Sequence, residues 1–186
     1  MHTYIINMGD LMKKYAVLLM AVLAVVVFSS GCINQGNNTY NFNGISFNYS
    51  SSWQEISNIK TQDAIAGVGD PDSADNPTNN VNTLVIVQKV PVPSNSTLKQ
   101  FYDDTYAKSA QDSTFQIISD KTIKVNGLTG YENVHKIMVN GALKEERVIW
   151  FEKNGNIYVI LCGALIGDFN GQQSNFNIVI NSFKVQ

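Results

Sequence analysis

Four consecutive segments of the chain, "FQIISDKTIKV", "LTGYENVHKIMV", "ALKEERVIWFEK" and "NIYVILCGALI", are rich in β-branched and aromatic residues. Asn-Gly pairs at 126, 140 and 154 separate them. Asn-Gly is the preferred pair for a two-residue type I′ hairpin turn, so the pattern predicts four antiparallel strands in succession. The last is apolar at both parities from Ile157 through Leu165. A strand without a polar side must be covered on both faces, which places the sheet between two helical layers.

Two helical periodicities supply those layers. In "SNSTLKQFYDDTYAKSAQ", Leu98, Phe101, Tyr102, Thr105, Tyr106 and Ser109 fall on one helix face, with Ser96 or Asn95 as N-cap. In "DFNGQQSNFNIVINSF", Phe169, Phe176, Val179, Ile180 and Phe183 recur at helical spacing behind Asp168 as N-cap, and Gly171 weakens the first turn. Upstream, "GISFNYSSSW" alternates Ile45, Phe47 and Tyr49 with polar residues, the mark of a half-buried strand, and Trp53 follows. Further strands run through "DAIAGVG" and "NTLVIVQKVPV", the latter ended by Pro91 and Pro93, with a loop at "DPDSADNPTNN" between them. The expected fold class is α+β, an antiparallel β-sheet meander covered by helices on both faces.

The N-terminus reads differently. Lys13 and Lys14 precede fourteen uncharged residues, "YAVLLMAVLAVVVF", followed by Ser29, Ser30, Gly31 and Cys32. That order is the basic, apolar and small-residue plan of an export signal, and as a helix the apolar run rises only about 21 Å, short of the roughly 30 Å a stable span must cross. "MKKYAVLLM" makes Met12 the expected start. "SSGC" resembles the lipobox of prokaryotic lipoproteins, whose cysteine is lipidated and becomes the new N-terminus; Ser29 stands where the usual residue is aliphatic. Cys32 is therefore the expected lipidation site, with an ordinary thiol after an uncleaved signal anchor as the alternative. The chain divides into a signal peptide at 1–31, a polar tether at 32–41, and a single domain at 42–186.

Beyond residue 31, eleven Lys plus Arg face fourteen Asp plus Glu, a net of −3 that attracts neither nucleic acid nor an anionic bilayer. Cys162 is then left without a disulfide partner and reads as a small buried hydrophobe. The many asparagines suit a mesophile, and sequons stand at Asn37, Asn48 and Asn95. His135 is the only histidine past the signal, sits in mid-strand, and has no serine in a nucleophile-elbow context, so it is expected to make a local hydrogen bond. A zinc site lacks ligands. Asp70, Asp72 and Asp75 do not have the spacing of a calcium-binding EF-hand loop and read as a solvated acidic loop. Glu145 and Arg147 on one strand face and Glu146 on the other are expected at exposed or rim positions. No catalytic, cofactor-binding or metal residue is assigned.

The opening "ISFNYSSSW", the mid-chain amphipathic helix, the meander with one very apolar member and the closing "IVINSFKV" together resemble the PsbP-like superfamily, in particular its bacterial and archaeal surface lipoproteins. The likeness spans roughly residues 42 to 185. It implies a sheet with helices on both faces, and a role as an assembly or stabilising partner of a membrane complex rather than an enzyme. The resulting expectation is a non-enzymatic lipoprotein on the outer face of the cytoplasmic membrane. It would be held there by its N-terminal lipid and would bind a protein partner of the envelope. A carrier of a small apolar ligand between sheet and helix, or a hydrolase of surface polymers acting through acidic residues, are the alternatives.

Overall fold

The computed structural model describes residues 24–25, 36–59, 61–75 and 80–186. Cys32 and most of the export signal lie outside the described residues. The elements in order are β1 (Asn38–Phe42), β2 (Ile45–Tyr49), β3 (Gln54–Glu55), β4 (Ala64–Gly69), β5 (Leu84–Pro91), α1 (Leu98–Ser109), β6 (Gln116–Val125), β7 (Leu128–Val139), β8 (Ala142–Lys153), β9 (Asn156–Leu165), α2 (Gln173–Ser182) and β10 (Lys184–Val185). Ala24–Val25 pairs with Asn58–Ile59 in a separate two-residue ladder.

The main sheet has seven antiparallel strands in the order β3-β4-β5-β9-β8-β7-β6. The predicted meander is its right-hand portion, and each Asn-Gly pair turns a hairpin. Asn126, Asn140 and Asn154 and the glycines after them all have positive φ, as a type I′ turn requires. A fourth pair, Asn43-Gly44, has the same geometry and joins β1 to β2.

What the meander alone does not reveal is that β5 pairs along the free side of β9. This puts the apolar strand at the centre of the sheet and explains its burial on both faces. One face packs against α1 through Phe101, Tyr102 and Tyr106, which meet Ile86, Val148, Trp150 and Val159. The other is covered jointly by α2 and by a small second sheet in the order β10-β2-β1. Ile45 and Phe47 from that sheet, Trp53 beyond it, and Phe176 and Val179 from α2 close over Ile149, Phe151, Ile160 and Cys162. The fold is the expected α+β sandwich with a helix on each face, the second helix sharing its side with the small sheet.

Three local expectations are corrected. The N-cap of α1 is Thr97, whose hydroxyl accepts from the Gln100 amide while the Gln100 side chain accepts from the Thr97 amide, a reciprocal capping box. Behind Asp168 comes a 3₁₀ turn, Phe169–Gln172, and Asp168 makes no capping hydrogen bond; α2 starts only at Gln173. Strand β1 starts at Asn38, inside the segment that composition reads as tether, because Tyr40 is its one buried side chain and its pairing with β2 is carried by backbone.

Candidate functional site

The polar residues that the sequence singles out mostly turn inward. His135 and Glu146 are directly opposite on β7 and β8, on the face that α1 covers, and both are buried. The imidazole Nε2 lies 3.1 Å from Glu146 Oε2, and Nδ1 lies 3.0 Å from Oδ1 of Asn133, also buried. Phe115 and Tyr106 pack against the ring, and Trp150 Nε1 donates to the Tyr106 hydroxyl. Gly163 of β9 stands opposite Glu146. Glu146 is thus not at a rim, correcting the expectation for that residue. A polar side chain can be buried there because strand register supplies a hydrogen-bond partner eleven residues away. The arrangement is a buried hydrogen-bonded cluster that pins β7 to β8 beneath the helix.

Arg147 has the complementary task on the opposite face. Its Nε and terminal nitrogen each lie 2.7 Å from Glu132 Oε2, and its other terminal nitrogen donates to Asn177 of α2 at 2.9 Å. Lys121 of β6 reaches the second Glu132 oxygen at 2.8 Å. Burial pushes the Glu132 carboxyl up, but the hydrogen bonds from Lys121 and Arg147 outweigh it and hold the group below the ordinary carboxylate range. Of the charged trio, only Glu145 is left without a structural task of this kind.

Cys162 is fully buried, and burial pushes its thiol up to about 12, so no reactive thiolate forms there. In the acidic loop, Asp70 accepts from the Asp72 amide and Asp75 accepts from the Asn80 amide. Asp70 and Asp72 share a cleft of about 400 Å³ with Asp168. Among the described residues, no group of three or more His, Cys, Asp or Glu side chains is placed to hold a metal ion.

The exposed side of the molecule offers a different kind of site. Strand β6 lies at one end of the seven and pairs only with β7 among the described residues, so alternate backbone groups along its ten residues face outward on the other side. Nearly all of them are exposed, including Ile117 and Ile118, at a register shift between Ile117 and Ser119. Met138 and Leu143, direct partners across β7 and β8, are exposed as well, as is Ile166, whose amide bonds to the Leu143 carbonyl. Long open edges are usually blunted by lysines and bulges; β6 has both, in Lys121, Lys124 and the shift at Ile117, yet retains its isoleucines. Nothing in the β6 segment read alone marks it as an edge, since that depends on what lies beyond it.

Comparison with known proteins agrees with this architecture. The model of a family described as PsbP-like protein matches residues 23–185. No curated protein matches the chain. Among solved structures, the chain is similar to cyanobacterial PsbP (CyanoP) from Synechocystis sp. PCC 6803, with 16% identity over 84% of this chain and 98% of that one, and a TM-score of 0.59. It is also similar to LpqN, described as involved in cell envelope biogenesis of Mycobacterium tuberculosis, with 13% identity over 81% of this chain and 91% of that one, and a TM-score of 0.56. No helix of the described residues is long and apolar enough to cross a membrane.

Proposed function

Because the chain belongs to the PsbP-like family, we propose that it is a non-enzymatic binding domain of the cell envelope that holds an extended segment of another envelope protein along β6. The observation that carries this reading is the ten-residue open strand with Ile117 and Ile118 exposed. An added strand would satisfy the outward backbone groups and cover apolar side chains, the two sources of affinity in strand-addition complexes. The inward use of His135, Glu146, Glu132 and Arg147 supports binding over catalysis, since each is committed to a partner inside the fold. The envelope-biogenesis description of LpqN supports the location.

In this reading the domain is tethered to the outer face of the cytoplasmic membrane by a lipid on Cys32. Two acyl chains anchor far more firmly than one, and Cys32→Ser is expected to leave an uncleaved precursor or a released domain. Intact-mass analysis of the membrane fraction decides: a wild-type mass equal to the unmodified chain from Met1 or Met12 overturns lipidation. Partner binding is tested by affinity recovery from native membranes under several detergents. A reproducible partner that is lost in a variant carrying Ile117→Lys and Ile118→Lys is the expected outcome. Recovery of the wild type with no reproducible partner, or equal recovery with the variant, contradicts it.

A further inference from the structure

The turn at the end of β6 fixes which of its residues an added strand would meet. Across a two-residue hairpin loop the flanking residues form a hydrogen-bonded pair, here Val125 with Leu128, and such pairs recur at every second residue. Ile123 opposite Gly130 and Lys121 opposite Glu132 therefore bond inward to β7. The N–H and C=O groups of Asp120, Thr122 and Lys124 point the other way, to the open edge. The side chains of these three residues also share one face. The Asp120 carboxylate accepts from the Tyr102 hydroxyl of α1 at 2.8 Å, whereas Lys121 reaches Glu132 on the opposite face. Alternation then sets Thr122 and Lys124 on the α1 face with Asp120, and all three are exposed. Lys124 makes no ion pair among the described residues. Lys99 of α1, which feels the Asp120 charge, is bonded to both oxygens of Asp103 at 2.6 Å.

Residues directly opposite one another in adjacent strands interact, opposite charges favourably and like charges unfavourably. We propose that the segment bound along β6 runs antiparallel to it, with an acidic side chain opposite Lys124, a β-branched one opposite Thr122 and a basic one opposite Asp120. Apolar residues follow, over Ile118 and Ile117. In its own direction the segment reads acid, any residue, β-branched, any residue, base. The inference rests on strand addition at β6 and names what that edge selects. Antiparallel pairing continues the pattern of the whole sheet and is the more stable per residue. Asp120, Thr122 and Lys124 have the same order themselves, so a second copy would match the edge about a two-fold axis. That register sets Val125 of the second copy opposite Ser119, where its strand turns, and leaves Ile117 and Ile118 uncovered. A segment of another protein, free to continue, covers them.

The test uses the full-length protein in lipid nanodiscs and two capped nine-residue peptides of threonine and valine. One carries glutamate at its third position and arginine at its seventh; the other has those two exchanged. Binding is followed by the amide shifts of β6 in NMR. The acid-first peptide is expected to bind about tenfold more tightly than the base-first one, and the difference should shrink in molar salt, which screens exposed pairs. Lys124→Glu leaves the bond from Tyr102 to Asp120 in place, and an unchanged melting temperature checks its folding. It should weaken the acid-first peptide about fivefold, and a third peptide with arginine at both positions should bind this variant most tightly. Equal affinity of the two orders along β6, or tighter binding of the base-first peptide, overturns the proposed order and leaves strand addition standing. No shift of the β6 amides with either peptide overturns the proposal as well, while strand addition itself stands or falls with the recovery lost on Ile117→Lys and Ile118→Lys. A dimer of the chain through β6 that neither peptide dissociates overturns the external segment in favour of a second copy.

Discussion

Strands β9 and β6 are each ten residues long and belong to the same sheet, yet eight residues of β9 are buried and only one of β6 is. Their positions account for the contrast. β9 is fourth of seven, hydrogen-bonded to β5 and β8 and covered by a layer on each face, whereas β6 is last and bonded to β7 alone. The centre of the sheet holds the molecule together; its outer end is available to something else. That division separates substitutions that should unfold the domain from those that should alter only what it binds.

The largest effect should come from placing a charge in β9. Ile160→Asp puts a carboxylate with no partner among Ile149, Val87 and Phe176, and is expected to cost at least about 4 kcal/mol, enough to leave most of the protein unfolded. Urea unfolding measures it, and a folded variant of near wild-type stability would break the contrast with β6. Glu146→Ala should cost about 3 kcal/mol, because His135 Nε2 loses its hydrogen-bond partner in the interior. A neutral result would mean that water reaches the cluster and that the α1 face is less sealed than the packing of Phe115 and Tyr106 implies.

A smaller loss, about 1–2 kcal/mol, is expected from Gly141→Val in the turn that joins β7 to β8. Gly141 has φ +81°, which a β-branched residue adopts only under strain, and no side chain crowds the position, so the measured loss isolates backbone conformation. An unchanged melting temperature would show that the turn relaxes without cost. The smallest effect belongs to β6: Ile118→Asp should change stability by no more than about 0.5 kcal/mol while lowering partner recovery. A large loss of stability there would mean that β6 is part of the core after all.

The sequence discloses the parts of this fold that depend on near neighbours. Asn-Gly pairs announce their hairpins because the conformation is decided within two residues, and the two-sided apolar run of β9 announces its burial. The cap of α1 was expected at Asn95 or Ser96 and falls at Thr97, because only the reciprocal bond to Gln100 decides among neighbouring polar residues. Other features depend on distant partners. The pairing of β5 with β9 joins segments on either side of α1, and β1 hides in polar sequence because backbone pairing forms it. Glu146 reads as a surface charge until register brings His135 opposite, and nothing in the sequence singles out Glu132, on which Lys121 and Arg147 converge. The candidate sites are the least legible for the same reason. An edge exists only once the far side of β6 is seen to be unpaired among the described residues.

The most direct test of the binding account is amide hydrogen exchange of the full-length protein, compared between native membranes and the purified state. Strand addition predicts that protection gained in membranes is concentrated in the alternate amides of β6, between Gln116 and Val125, that point away from β7, while β9 is protected equally in both. Unchanged exchange along β6, with new protection elsewhere or nowhere, would contradict it.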